Sequence, residues 1–373
     1  MRRVLSLSAV ILLLWVGLAG AATEVVCIVD TDATQNPDYT SLAAAIAGET
    51  GASPKCVTSA DLVANDEQLT IECRASAGGA DTTAVVLTGF TTGATNYIKI
   101  HSTGNHRHQG ILSSSYYRLA TTTTNTYPLD INGNCWNVRV DGIQIDAASS
   151  NRAAVMVRNL NSGTTDYRFS NLVIHGGNDF RYAAGININD SDCDTVSIWN
   201  CVIYGFPGIE SKGIHHAASG GTTYIYNCTI SGIAGRGLST DSGAGAQVIT
   251  NCAVFNCGDD FADTETLTID HCASDDGDGT NAIDISPGGT EADDWNAAFT
   301  DYANGDFSVK DTDSVLYDAG TDLSGTFTTD IAGTTRSTWD IGAFEYEAGP
   351  KWNTITPAKW NGVDWSNLKW NGM

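Results

Sequence analysis

Apolar and polar residues alternate with period two in a series of short runs along this chain, and the runs align with one another. Six copies share the pattern: Val-Arg-Val-Asp-Gly-Ile-Gln-Ile ending at Ile145, Tyr-Arg-Phe-Ser-Asn-Leu-Val-Ile ending at Ile174, Val-Ser-Ile-Trp-Asn-Cys-Val-Ile ending at Ile203, Thr-Tyr-Ile-Tyr-Asn-Cys-Thr-Ile ending at Ile230, Gln-Val-Ile-Thr-Asn-Cys-Ala-Val ending at Val254, and Leu-Thr-Ile-Asp-His-Cys-Ala-Ser ending at Ser274. The alternation changes phase at one residue in each copy: Gly142, Asn171, Asn200, Asn227, Asn251 and His271. These pivots are spaced 29, 29, 27, 24 and 20 residues apart. A repeat of this length, with strand-like alternation inside it, predicts one coil of a parallel β-helix. The pivot is then a one-residue bend between two strands, in the left-handed backbone conformation that Gly and Asn tolerate. Stacked coils would let the Asn side chains hydrogen-bond along the axis.

Two residues before each pivot stand Val140, Phe169, Ile198, Ile225, Ile249 and Ile269, and just after it Ile143, Leu172, Cys201, Cys228, Cys252 and Cys272. The four cysteines read as an inward stack of small apolar residues. The other six, Cys27, Cys56, Cys73, Cys135, Cys193 and Cys257, allow 15 pairings among which sequence does not choose. No CxxC pair with zinc spacing occurs. Residues Asp38 to Ala47 read as a helix with Thr40 or Ser41 as N-cap, short enough to plug the open end of the stack. Runs at Thr83–Leu87, Tyr97–His101 and Tyr127–Ile131 read as earlier, less regular coils.

A second strand follows each pivot after a turn of variable length, carrying Val155, Ile186, Ile214, Leu238 and Phe261. If these point inward, the residues two before and one after each point out and stack in columns. The first column is Ala153, Ala184, Lys212, Arg236 and Asp259. The next is Met156, Asn187, His215, Ser239 and Ala262, and a third is Arg158, Asn189, Ala217, Asp241 and Thr264.

Composition narrows what such a stack could do. The chain has 373 residues, 43 Asp+Glu against 19 Lys+Arg, a net charge of −24 and 39 Gly. Its 42% hydrophobic content excludes a disordered acidic polymer, and its acidity excludes a nucleic-acid backbone as natural partner. The basic pair Arg2-Arg3, the apolar run Val4–Leu18 and Ala19-Gly20-Ala21 form the pattern of a secretory leader, residues 1–21. A solenoid over 22–348 and a distinct tail over 349–373 complete the expected organisation of a secreted or cell-surface protein. The tail repeats Lys-Trp-Asn three times and holds Trp352, Trp360, Trp365 and Trp370. It reads either as a surface for attachment or self-assembly, or as aromatic rings capping the stack.

The chain resembles the pectate-lyase-like right-handed parallel β-helix proteins. The resemblance rests on Asp-Tyr-Thr-Ser-Leu from Asp38, the Asn-Cys coil motif, Gly305-Asp306-Phe307, Asp318-Ala319-Gly320-Thr321 and Asp340-Ile341-Gly342-Ala343-Phe344-Glu345-Tyr346. It implies an all-β solenoid, and its members include lyases, hydrolases, tail-spike modules and surface proteins.

Chemistry is therefore sought on the outward columns. Lys212, Arg236 and His215 are the residue types a lyase needs, a base beside a cation that stabilises an enolate. Asp241 with Asp259 or Asp260 would suit a hydrolase, which needs two carboxylates flanking the scissile bond. Ser239-Thr240-Asp241 and Gly258-Asp259-Asp260 are similar to polygalacturonase motifs. Here, however, Asp241 follows the inward residue, and the Gly-His-Gly and Arg-Ile-Lys elements are absent. Asn187, Asn189 and Ser239 are the expected binders of sugar hydroxyls. Asp275, Asp276 and Asp278, in a Gly-rich acidic turn, are candidate Ca²⁺ ligands, with Asp284 as a possible fourth. The expectation is an exported β-helix protein that binds, and by one reading cleaves, acidic polysaccharide. The alternative is a non-catalytic structural or adhesive surface protein or virion fibre.

Overall fold

The computed structural model describes residues 21–347, apart from 134, 159–163, 178, 192, 218, 263–266, 276 and 288–290. The leader up to residue 20, Asp276, Thr264 and the tail from 349 lie outside these residues.

The alternating runs fold into a parallel β-solenoid. One nine-stranded sheet takes a strand from each coil, from Thr23–Asp30 at one end to Leu267–Asp270 at the other, every neighbouring pair parallel. Each later coil then turns at its pivot. Gly142, Asn171, Asn200, Asn227, Asn251 and His271 have φ of 67°, 53°, 51°, 46°, 57° and 49°, the left-handed bend expected of them. After the pivot, short strands such as Gln144–Asp146, Val173–His175 and Val202–Phe206 stack into a second wall. After a further turn, Ala153–Arg158, Ala184–Asn189 and Lys212–His216 stack into a third. In Thr229–Thr240 and Ala253–Phe261 the second and third strands run together, with a register shift between Ile233 and Arg236.

The interior is the set of residues that alternation pointed inward. Ile198, Ile225 and Ile249 from the first wall are fully buried, as are Val155, Ile186, Ile214 and Leu238 from the third. Cys201, Cys228, Cys252 and Cys272 form a buried ladder, the amide of Cys228 reaching Cys252 Sγ at 3.5 Å and that of Cys252 reaching Cys272 Sγ at 3.4 Å. Burial pushes the Cys201 and Cys252 thiols far above their ordinary range, which keeps them protonated. No S–S bond joins any of the ten cysteines in this structure.

The helix at the open end spans Leu42–Glu49, four residues later in its start than Asp38. Ser41 is the N-cap, its side chain accepting from the amide of Ala44 at 3.1 Å. Asp81 accepts from the amide of Leu42 at 2.6 Å, so two first-turn donors are satisfied. Leu42, Ala45 and Ile46 are buried against the first coils.

The second wall is covered. Its outward residues Val173, Val202 and Ala253 are buried beneath the segment from Ile285 to Phe344, which adds Phe299, Phe307, Leu316, Ile331 and Ile341 to a separate apolar layer. That segment is anchored by the pivots. Asn227 donates to the carbonyls of Asp340 and Gly342 at 2.9 and 3.1 Å, and Asn251 donates to Thr321 O at 2.8 Å while accepting from its amide at 2.9 Å. The C-terminal motifs therefore hold one wall of the solenoid shut. The Asn ladder runs along the axis only in part, Asn200 to Asn171 at 3.3 Å and Asn251 to Asn227 at 3.2 Å. No helix among the described residues is long and apolar enough to cross a membrane.

Candidate functional site

The third wall meets solvent only in part: Asn189, Arg236, Asp241 and Asp259 are exposed, whereas Met156, His215, Ala262 and the expected sugar binder Ser239 are buried. Register pairs Ala153 with Ala184, Ala184 with Lys212, Lys212 with Arg236, and Arg236 with Asp259, the order the repeat alignment gives. It likewise pairs Met156 with Asn187, Asn187 with His215 and His215 with Ser239. Neighbours in a column stand about 4.8 Å apart, one strand spacing.

The residue between the first column and the inward position is glycine in three successive coils, flanked by Ala154 and Asp260 in the coils on either side. Gly185, Gly213 and Gly237 fill that place: a Cβ on Gly213 would stand 2.4 Å from the carbonyl oxygen of Gly237 and 2.7 Å from Ile230. A side chain there would push the coils apart and displace Lys212 and His215.

Lys212, His215, Ser239 and Asp241 come together. Lys212 Nζ lies 3.0 Å from His215 Nε2, and His215 Nδ1 lies 2.9 Å from Ser239 Oγ and 3.3 Å from the Ser239 carbonyl. The carbonyl can only accept and an ammonium can only donate, so the imidazole carries its proton on Nδ1 and accepts from Lys212 at Nε2. Asp241 Oδ1 stands 3.4 Å from the same Nε2. His215 is buried, and desolvation together with the Lys212 charge pulls its pKa down to about 4. It is a neutral acceptor at neutral pH, with the exposed Asp241 carboxylate on the groove side. His216, one residue on, turns inward: its Nε2 donates to the Gly220 carbonyl at 3.2 Å and its Nδ1 accepts from Thr223 at 3.1 Å.

The other candidates separate. Asp259 is exposed beside Arg236 in the first column. Asp260 is buried, its Oδ2 accepting from the amide of Asp275 at 2.8 Å, so that oxygen serves the coil rather than the groove. Asp275 is likewise engaged, accepting from the amide of Asn256 at 2.7 Å, Trp295 Nε1 at 2.8 Å and Ser286 Oγ at 3.2 Å. Asp278 sits in the same turn, its amide bonded to Ser274 Oγ at 3.1 Å, and Asp284 accepts from the amide of Ser286 at 2.9 Å. Among the described residues, three potential metal-ligating side chains gather only at Cys27, Glu49 and Cys56.

Asn187 and Asn189 line a hollow of about 530 Å³ over the earlier coils, together with Tyr127, Arg152, Phe180, Arg181 and Tyr182. Its floor is apolar, Ala153, Met156 and Ala184 packed with Tyr127, and Asn187 Oδ1 is buried there with no hydrogen-bond partner. A second hollow of about 420 Å³ is lined by Tyr182, Ile209, Glu210, Lys212, Gly235 and Arg236. Tyr182 thus borders both hollows, and it is 68% exposed. Arg181 pairs with Glu210 at this border. Sequence alignment missed Tyr127, Arg152, Arg181, Tyr182 and Ile209 because they lie in turns or at strand ends. Turn lengths vary there and columns cannot be counted. The one signal was that Tyr182 and Glu210 each precede a first-column residue by two.

No family model and no curated protein matches this chain.

Proposed function

We propose that this is an exported protein that binds acidic polysaccharide along the third wall of a right-handed solenoid, as the pectate-lyase-like proteins it resembles would. The observation that carries this reading is Tyr182 between two hollows. Arg152 and Arg181 line one and Lys212 and Arg236 the other, over an apolar floor, in a chain of net charge −24. Cations concentrated at one groove of an acidic protein suit uronate carboxylates. An exposed ring and an apolar floor suit the apolar faces of sugar rings, and Asn187 and Asn189 suit their hydroxyls.

The cleavage this arrangement suits is elimination. A base takes the proton beside the uronate carboxylate, the bond to the leaving glycosidic oxygen breaks, and a carbon–carbon double bond forms. Arg236, next to Lys212 in register, would offset the charge that builds on the carboxylate. Lys212 acts as base only after giving up its own proton. His215 is too weakly basic to hold that proton, so cleavage would rise with pH. For hydrolysis the carboxylate pair would be Asp241 with the exposed Asp259, because Asp260 is buried and bonded to the Asp275 amide.

The test is incubation of the chain with polygalacturonate, alginate and capsular glycans, with and without Ca²⁺. Absorbance of an unsaturated uronate, abolished by Lys212→Ala, is expected for elimination. Glycan binding without cleavage would leave the adhesive form of the reading. No binding to any acidic glycan would overturn both.

A further inference from the structure

Outside the groove, one pair of side chains lacks a role. Cys27 lies in the first strand, Thr23–Asp30, fully buried. Cys56 lies in the loop that follows the capping helix and is half-buried. Their sulfurs and the Glu49 carboxylate all lie within 4.8 Å of one another. We infer that Cys27 and Cys56 are oxidised to a disulfide that staples the capping helix to the first strand of the solenoid.

A metal ion is the rival occupant, and the surroundings oppose it. Glu49 is already saturated: Tyr39 Oη donates to it at 2.7 Å, and the amides of Lys55, Cys56 and Val57 at 3.1, 3.1 and 2.9 Å. Burial opposes its ionisation, but these donors win and hold its pKa below the ordinary value. Metal binding would also require both sulfurs as thiolates. Burial, with the Glu49 and Asp38 charges adding to it, pushes Cys56 up to about 11 and Cys27 higher still. A disulfide carries no charge and fits the same place.

The four stacked cysteines differ in access. Cys201, Cys228, Cys252 and Cys272 are sealed in the interior, whereas Cys56 sits at the surface end of its pair. The oxidant is a low-molecular-weight disulfide or a thiol oxidase, met while the cap is assembling and Cys56 is still solvated. With glutathione disulfide, the Cys56 thiolate attacks one sulfur and expels one glutathione thiol. Cys27 then attacks the mixed disulfide and expels the second. The two protein thiols lose two protons and two electrons, and the glutathione disulfide gains them.

The physical consequence lies at the end of the stack. A solenoid coil with no neighbour frays first, so the cap sets how readily the whole array opens. A bond from residue 27 to residue 56 confines the helix and its loop in the unfolded chain as well.

The experiment uses the full chain, refolded in a glutathione and glutathione disulfide buffer. It is then denatured without reductant, alkylated with iodoacetamide and mapped by peptide mass. The expected result is a cross-linked pair of peptides carrying Cys27 and Cys56, two hydrogens lighter than the reduced pair, with the four stacked cysteines alkylated. The oxidised chain should melt roughly 3–6 °C above the reduced one. That difference should vanish in Cys56→Ser, whose Cys27 becomes alkylated. Alkylation of both Cys27 and Cys56 in the refolded wild-type chain would overturn the inference. So would a cross-link from either to another cysteine, or stoichiometric Zn²⁺ held by the reduced chain and lost in Cys27→Ser.

Discussion

Arg336 Nη2 donates to Asn200 Oδ1 at 3.1 Å, joining residues 136 positions apart. The same guanidinium donates to the Gly342 carbonyl at 3.1 Å and to Glu345 at 3.2 Å, with both side chains of the ion pair buried. A repeat pivot is thus the socket for a cation from the covering segment. Replacing Arg336 by Ala strands the Glu345 charge and should cost about 3–5 kcal/mol. Denaturant unfolding would show it. Arg336→Lys should recover little, since one ammonium cannot span the carbonyl, amide and carboxylate together.

The pivots carry two separable demands, a left-handed backbone and an anchoring side chain. At Asn227, φ is 46° and the side chain holds the carbonyls of Asp340 and Gly342. Asn227→Gly keeps the backbone and loses the anchor, whereas Asn227→Ala loses both. Unfolding curves should place Ala below Gly by about 1–2 kcal/mol, and equal losses would show that conformation contributes nothing there.

His215 makes stability depend on pH. Its folded pKa is about 4 against an ordinary 6.5, because burial and Lys212 disfavour the imidazolium. Below pH 6.5 the unfolded chain therefore holds a proton that the folded chain refuses. The stability due to the neutral ring is full above pH 6.5 and falls as pH drops toward 4. His215→Gln should flatten that part of the pH–stability curve. NMR of the ring nitrogens should show His215 neutral at pH 5 with its proton on Nδ1.

Tyr182 tests the groove without disturbing the core. It is 68% exposed, so Tyr182→Ala should leave the melting temperature unchanged. Glycan affinity should fall roughly 5- to 10-fold, about 1 kcal/mol, through loss of the ring surface. Calorimetric titration with a bound oligosaccharide measures it. A variant that binds as well as wild type would move the ligand away from the two hollows.

Period-two alternation and the spaced pivots determine the solenoid, the inward cysteine ladder and the register of Lys212, Arg236 and Asp259. These follow because parallel strands in successive coils stack like on like, so a linear alignment is already a three-dimensional column. The same logic placed Asn187, His215 and Ser239 in one row.

Which wall is covered, and which groups of the third wall remain exposed, depends on contacts between distant segments. The segment from Ile285 onward covers the second wall through contacts with Asn200, Asn227 and Asn251, and nothing in the local pattern of 285–347 says which wall it will cover. Asp260 follows Asp259 directly, yet one is buried against the Asp275 amide and the other exposed, a difference set by the next coil. Tyr182 lines both hollows from a turn, and turns of unequal length share no register. The sequence states its repeats locally, while coverage, burial and the meeting of Cys27 with Cys56 depend on chain segments that touch only after the coils have stacked.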